Sequence, residues 1–235
     1  MDKRQVKCYG DFVDALLESG FSMGGGNDEG IYGIITWSWN EEPPYETPVK
    51  WHTENLETDP WEWRMRVLDE RNDVAYGKVF LKKSGYITRK WAPHFIAVRR
   101  GNMSFDEMYQ EGTISNYAKR IYNTVSEHGT LPSHAIKALA GFGKEEKSQF
   151  DRGLVELQMK MFLTTSGRQQ KLSQKGEEYG WSSAVFCTTE NFWGEEVFVE
   201  AAKLEKEVAV AEICEQILLL NPNAQAKNIM KFIKG

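Results

Sequence analysis

Apolar residues recur at helical spacing in some stretches of this chain and alternate in others, with Gly, Pro and Asn between them. Phe12, Val13, Leu16 and Leu17 form an i, i+1, i+4, i+5 stripe, which predicts an opening helix within residues 1–21 that Gly20 ends. Gly24-Gly25-Gly26-Asn27 follows. With neither a Lys-Ser/Thr pair nor a GxGxxG, it reads as a loop rather than a phosphate cradle. Ile31 to Trp39 alternates and is rich in Ile, Thr and Trp, so a strand is predicted, broken by Glu41-Glu42-Pro43-Pro44-Tyr45. Asp59-Pro60 predicts a helix start, because Asp caps free N–H groups and Pro suits the first helical position. That helix should reach about Arg71. Gly77–Leu81 and Tyr86–Thr88 predict a hairpin turning at Lys82-Lys83-Ser84-Gly85. Helix returns over about Arg89–Arg99 with Pro93 in an early turn, and Gly101 closes it. Ser104-x-x-Glu107 is a capping box for one more short helix.

Residues 113–190 carry the most coherent pattern. Tyr117, Ile121 and Val125 share a helical face over about Asn116–His128, and Gly129 stands at the C-cap. A second helix follows Pro132 with Ser133 as N-cap and ends near Gly141. A third covers about Glu145–Met159, with Phe150, Leu154, Leu157 and Met161 on one side. Phe162–Thr165 predicts a strand, Ser166-Gly167-Arg168 a turn, and about Ser183–Thr188 a second strand. Helix, helix, helix and a two-stranded wing make the plan of a winged helix, a helix-turn-helix variant. Beyond it, Glu195 to about Leu219 reads as helix broken near Lys203, with Val208, Ile213, Ile217 and Leu220 apolar. Asn221-Pro222 stops it. A last amphipathic helix spans Asn223–Lys234 with Ile229, Phe232 and Ile233 on its apolar side. The expectation is therefore an α+β protein. It has a Trp-rich N-terminal α+β part (1–112), a winged helix (113–190) and a C-terminal helical segment (191–235), which can pack as one unit.

Charge changes this picture in one respect. The net charge is −5, and residues 1–112 hold 14 Lys and Arg against 19 Asp and Glu, while the remainder holds 15 against 15. A strong non-specific duplex binder carries a clearer basic footprint, so the balance argues against tight, sequence-blind DNA binding. Cys8, Cys187 and Cys214 are far apart and no CxxC occurs, which fits a reduced cytoplasmic protein without disulfides or a zinc cluster. No signal peptide is read at the N-terminus and no apolar run reaches about 18 residues, so no membrane span is expected.

Two groups of side chains are candidates for binding. On the third helix and wing, Lys147, Gln149, Arg152, Arg168, Gln169, Gln170, Lys171 and Lys175 have the chemistry to read a major groove and hold phosphates. Glu145, Glu146, Asp151 and Glu156 dilute that charge, and the competing reading is an ordinary solvated surface. In the N-terminal part, Trp51, His52, Trp61 and Arg64, with Tyr76 and Lys78 nearby, can line a ligand pocket, with Trp faces for a base and Arg or His for a phosphate or carboxylate. The competing reading is a Trp-rich core with Arg64 paired to an acid. His52, His94, His128 and His134 are scattered without HExxH, so no metal and no cofactor is expected, and no GxSxG or triad supports acyl transfer. The partner classes left open are DNA, a small-molecule or nucleotide ligand, and a second copy of the chain through the C-terminal helices.

Several stretches carry a family resemblance. Leu157-Gln158-Met159 leads into Phe162-Leu163-Thr164-Thr165 and later Gly176-Glu177-Glu178-Tyr179-Gly180-Trp181. Upstream stand Thr58-Asp59-Pro60-Trp61-Glu62-Trp63-Arg64 and Ala75-Tyr76-Gly77-Lys78. Together these resemble the small bacterial AlkZ-related proteins over most of the chain. The resemblance implies a compact relative of the winged-helix alkyl-DNA glycosylases. The full enzymes are longer, with several winged helices and a β-barrel, and use a Gln-x-Gln motif at the catalytic site. This chain has no Gln-x-Gln: Gln169 and Gln170 are adjacent, and Lys160 stands two places after Gln158. No catalytic residue carries over.

Overall fold

A computed structural model describes residues 5–26, 29–172 and 175–235. Residues 1–4 of the predicted opening helix and Asn27 of the glycine loop lie outside the described residues. The architecture is α+β, with eleven helices among the described residues and a six-stranded antiparallel sheet.

The N-terminal elements are α1 (Tyr9–Ser19), β1 (Phe21–Met23), α2 (Pro60–Glu70), β2 (Val74–Phe80), β3 (Lys83–Thr88), α3 (Ala92–Arg99) and α4 (Phe105–Gln110). Local signals placed most of them. Gly20 ends α1 in the left-handed region, Asp59 caps α2 with Pro60 at its start, and Ser104 and Glu107 close a reciprocal capping box on α4. The predicted hairpin turn is displaced. Leu81 and Lys82 make it, both at positive φ, and Lys83 already belongs to β3.

Ile31–Trp39 is not a strand. It follows an irregular path whose one ladder contact is an isolated bridge from Gly33 to Met23. Ile31, Ile34, Ile35 and Trp37 are all buried, so the apparent alternation did not divide into an inner and an outer face. Side chains take the backbone groups a ladder would have taken. Asn221 Nδ2 donates to the carbonyls of Gly30 (3.0 Å) and Ile31 (2.6 Å), and the Ile34 N–H donates to Ser22 Oγ (3.0 Å).

The middle of the chain contributes α5 (Asn116–His128), β4 (Leu131–Pro132), α6 (Ser133–Leu139), α7 (Lys147–Met159), β5 (Leu163–Leu172) and β6 (Glu178–Thr188). Ser133 is the first residue of α6 rather than its cap; Pro132 holds the cap position. The expected turn at Ser166-Gly167-Arg168 is also wrong. β5 runs straight through it, and Gly167 marks a register shift against β6. A β-bulge and a hairpin turn draw on the same small residues, so local composition did not separate them. α5 and α7 pack closely because Gly153 has no side chain. A Cβ there would lie 3.1 Å from both the Ala118 nitrogen and Ile121 Cδ1.

α8 (Thr189–Trp193), α9 (Glu195–Ala202), α10 (Lys206–Leu220) and α11 (Ala226–Lys234) complete the fold. The break after α9 falls at Lys203, as expected. Ala209, not Val208, faces inward with Ile213 and Ile217.

The sheet order is β1-β3-β2-β5-β6-β4. β2 meets β5 through Tyr76 opposite Thr165, so one sheet runs from the N-terminal elements into the β5–β6 hairpin. Around β2 and β3 the sheet is covered on both faces. Val74, Tyr76 and Tyr86 pack toward α1, α2 and the 31–49 segment, while Ala75, Val79 and Ile87 pack toward α3 and α9–α11. Phe80 and Phe232 stack at 3.9 Å between centroids in that second layer. A third cluster joins α4–α7 to Phe162, Leu163 and Phe186. No described helix is long and apolar enough to cross a membrane.

Candidate nucleic-acid interface

Asp59 does more than cap α2. Its side chain is fully buried, and its two oxygens accept from four backbone N–H groups. Oδ1 takes Trp61 (2.8 Å) and His52 (3.1 Å); Oδ2 takes Thr53 (2.7 Å) and Glu54 (3.0 Å). His52 and Glu54 sit at φ 59° and 61°, a conformation that costs free energy for residues with a Cβ. The Asp59 carboxylate holds them there, because charge-assisted hydrogen bonds are about twice as strong as neutral ones.

The held loop brings the predicted pocket residues together. The His52 ring lies 4.7 Å from Trp61 and 6.5 Å from Trp51. The Arg64 guanidinium carbon lies 3.4 Å from the Trp61 ring centroid, in cation–π contact, and Nε donates to the Trp61 carbonyl at 2.7 Å. Tyr76 stands 5.9 Å from the same guanidinium. Trp61 is 42% exposed, so the arrangement is a surface platform and not a closed core. Trp37, Trp63 and Trp193 are the buried tryptophans among the described residues. The glycine run supports Trp51 rather than a phosphate: a Cβ on Gly25 would strike the Trp51 ring at 2.7 Å.

α2 also reaches the hairpin. Glu62, between Trp61 and Arg64 in sequence, pairs with Arg168 of β5 at 2.9 Å. The expectation that Arg168 serves phosphates did not foresee this partner, because no local signal connects positions 106 apart. Gln170 Nε2 donates across the hairpin to the Gly180 carbonyl (2.9 Å), while Lys171 is half-exposed and Lys175 exposed. Gln169 lies opposite Ser183. On α7, Lys147 and Arg152 are exposed and Gln149 is half-buried, with its Oε1 covered and unpartnered. Two of the diluting acids are engaged elsewhere. Arg120 pairs with Glu146 at 2.8 Å, its hydrogen bond pulling that carboxyl below the usual range, and Glu156 accepts from the Ser115 N–H and hydroxyl.

The remaining histidines have structural partners. His94 pairs with Glu212 at 2.7 Å beside a groove of about 520 Å³ between α3 and α10. His128 meets the Thr124 carbonyl, and His134 meets Ser183 Oγ. Among the described residues no group of three His, Cys, Asp or Glu can hold a metal ion.

A family model described as AlkZ related matches residues 6–234. The chain belongs to the AlkZ-related family. No curated protein and no solved structure matches it. In this AlkZ-related chain the stretches that carry the resemblance meet in space. Gln158 is buried on α7, and its Oε1 accepts from the Lys78 N–H of β2 at 2.8 Å while its Nε2 donates to the Leu154 carbonyl at 2.9 Å. Gly77 permits the approach, since a Cβ there would lie 3.0 Å from Gln158 Oε1. Glu62 and Arg168 join the α2 stretch to β5 in the same way. Sequence reading named both stretches but not their contact.

Proposed function

We propose that this AlkZ-related protein binds DNA through a winged helix made of α5, β4, α6, α7, β5 and β6. One observation carries the reading: these elements follow in the order helix, strand, helix, helix, strand, strand, with β4 and β5 both paired to β6. In such a unit the third helix enters the major groove and the hairpin touches backbone. That role falls to Lys147, Gln149 and Arg152 on α7. Lys171, Gln170 and Lys175 lie on the hairpin, and Arg168 joins them only by leaving Glu62. Family membership supports kinship with alkyl-DNA glycosylases. The proposal concerns DNA binding and not base excision, because the chain lacks Gln-x-Gln and the Gln158 amide is used at both ends within the fold.

The acidic net charge limits the number of phosphates contacted. With about two to four neutralised, log K should fall with log salt at a slope of roughly −2 to −4. Fluorescence anisotropy with a labelled duplex at low and moderate salt tests this. Micromolar binding with that slope, weakened by Lys147→Ala plus Arg152→Ala, is the expected result. No binding at low salt would overturn it.

A further inference from the structure

Nine arginines lie among the described residues, and seven have acceptors that occupy their charge. Arg66, Arg71, Arg89, Arg100, Arg120 and Arg168 pair with carboxylates, and Arg99 donates to four backbone carbonyls. Arg64 and Arg152 each make one hydrogen bond, from Nε to a carbonyl in their own helix. Arg152 is a solvated α7 residue. Arg64 is held: its guanidinium carbon lies 3.4 Å over the Trp61 ring, its Nε is fixed, and its Nη edge has no partner among the described residues. The carboxylate beside it, Glu62, is taken by Arg168.

We propose that Trp61, Arg64 and His52 form a nucleotide-binding platform, which takes an unpaired base on the aromatic rings and its phosphate on the Arg64 Nη edge. The proposal rests on the DNA-binding reading for its source of nucleotides. Three features carry it. The guanidinium edge offers two parallel N–H donors, the geometry that matches two phosphate oxygens. The adjacent rings offer a π surface that every base can use. Neither part has to be ordered on binding, because Asp59 already fixes the His52 loop and Trp61 already fixes the guanidinium. The Glu62–Arg168 pair sets the platform against β5, so a strand displaced beside the hairpin reaches it directly.

The test uses the full-length protein and four probes: a labelled single-stranded oligonucleotide, a matched duplex, the same duplex with one bulged nucleotide, and free dAMP as competitor. Trp61→Ala should weaken the single strand and the bulged duplex by roughly 5- to 150-fold, the range expected for loss of one stacked base. Arg64→Gln should weaken both as well, and Trp61→Phe should retain binding because it keeps a ring. Matched-duplex affinity should instead respond to Lys147→Ala plus Arg152→Ala. Competition by dAMP would name a free nucleotide as sufficient ligand, and failure to compete would name the strand. Wild-type affinity of both Trp61→Ala and Arg64→Gln for the single strand and the bulge, with melting unchanged, would overturn the platform. An effect of these two variants with none from the α7 pair would keep the platform and remove the groove reading. Should Trp61→Ala fail to fold, Arg64→Gln decides alone.

Discussion

Arg99 is a sensitive place to perturb this fold. It is 8% exposed and has no carboxylate partner among the described residues. Nη1 donates to the carbonyls of Val79 (2.7 Å) and Met159 (2.9 Å), Nη2 to Phe232 (2.8 Å) and Nε to Ile233 (2.9 Å). Those carbonyls end β2, α7 and α11. The last carbonyls of a helix lack partners within it and lie at its negative pole, so one cation satisfies three chain segments. Burial opposes the charge and pushes the Arg99 pKa down to about 9, which leaves the group cationic at neutral pH. Arg99→Met removes every donor while keeping the stem. Each carbonyl left buried and unpaired costs about 1–3 kcal/mol. Relief from desolvating a cation offsets several kcal/mol of that sum. A net loss of about 3–4 kcal/mol is expected, a large share of the ~5–15 kcal/mol that holds a typical domain. Arg99→Lys keeps the charge but has one nitrogen that cannot span four acceptors, so it should recover only part of the loss. Urea unfolding followed by tryptophan fluorescence and circular dichroism reads the difference. An Arg99→Met protein within about 1 kcal/mol of wild type would refute the argument that these carbonyls must be satisfied.

Three further outcomes are expected. Asp59→Ala and Asp59→Asn should both destabilise by roughly 2–4 kcal/mol in urea, because the Asn amide nitrogen would face two N–H donors; an Asn variant as stable as wild type would contradict the four-donor arrangement. Gln158→Leu should cost about 1–3 kcal/mol by leaving the Lys78 N–H without its partner, and full wild-type stability in thermal melting would show that the bridge is dispensable. Hydrogen bonds from Arg71, Arg66 and Arg120 hold the pKa values of Asp73, Glu70 and Glu146 below the usual range. Their stabilising contribution is therefore complete above the unfolded values, near pH 4–4.5, and is lost as pH falls through the lower folded values. The urea midpoint should stay level from pH 7 to about 5 and fall below about 4, whereas a midpoint that rises on acidification would show the sign to be wrong.

The chain's local grammar was legible wherever the deciding contact lies within one turn. Asp59-Pro60, Ser104-x-x-Glu107, Gly20 and Gly129 act on their own neighbours, and α1, α2, α4 and α5 stand where those residues predicted. The candidate platform was half legible. Trp51, His52, Trp61 and Arg64 were named from composition, and the structure brings them within ring contact. The same residues allowed a buried Trp-rich core, and only the exposure of Trp61 and an Arg64 edge without a partner among the described residues separate the two readings.

What sequence alone determined here is the α+β class and the described helices other than the five-residue α8 (Thr189–Trp193), because caps and hydrophobic periodicity are short-range. Tertiary structure decided the rest. Ile31–Trp39 has strand-like composition, yet Asn221, 190 and 191 positions away, takes the carbonyls of Ile31 and Gly30. Ser166-Gly167-Arg168 has turn-like composition, yet pairing with Val185 and Ala184 carries β5 through it. Asp59 reads as a cap, yet the same carboxylate also holds the His52, Thr53 and Glu54 N–H groups and so organises the loop that sets His52 against Trp61. In each case the backbone groups had more than one way to be satisfied. The choice fell to whichever partner the fold brought near, and that partner lies too far along the chain for any local pattern to record.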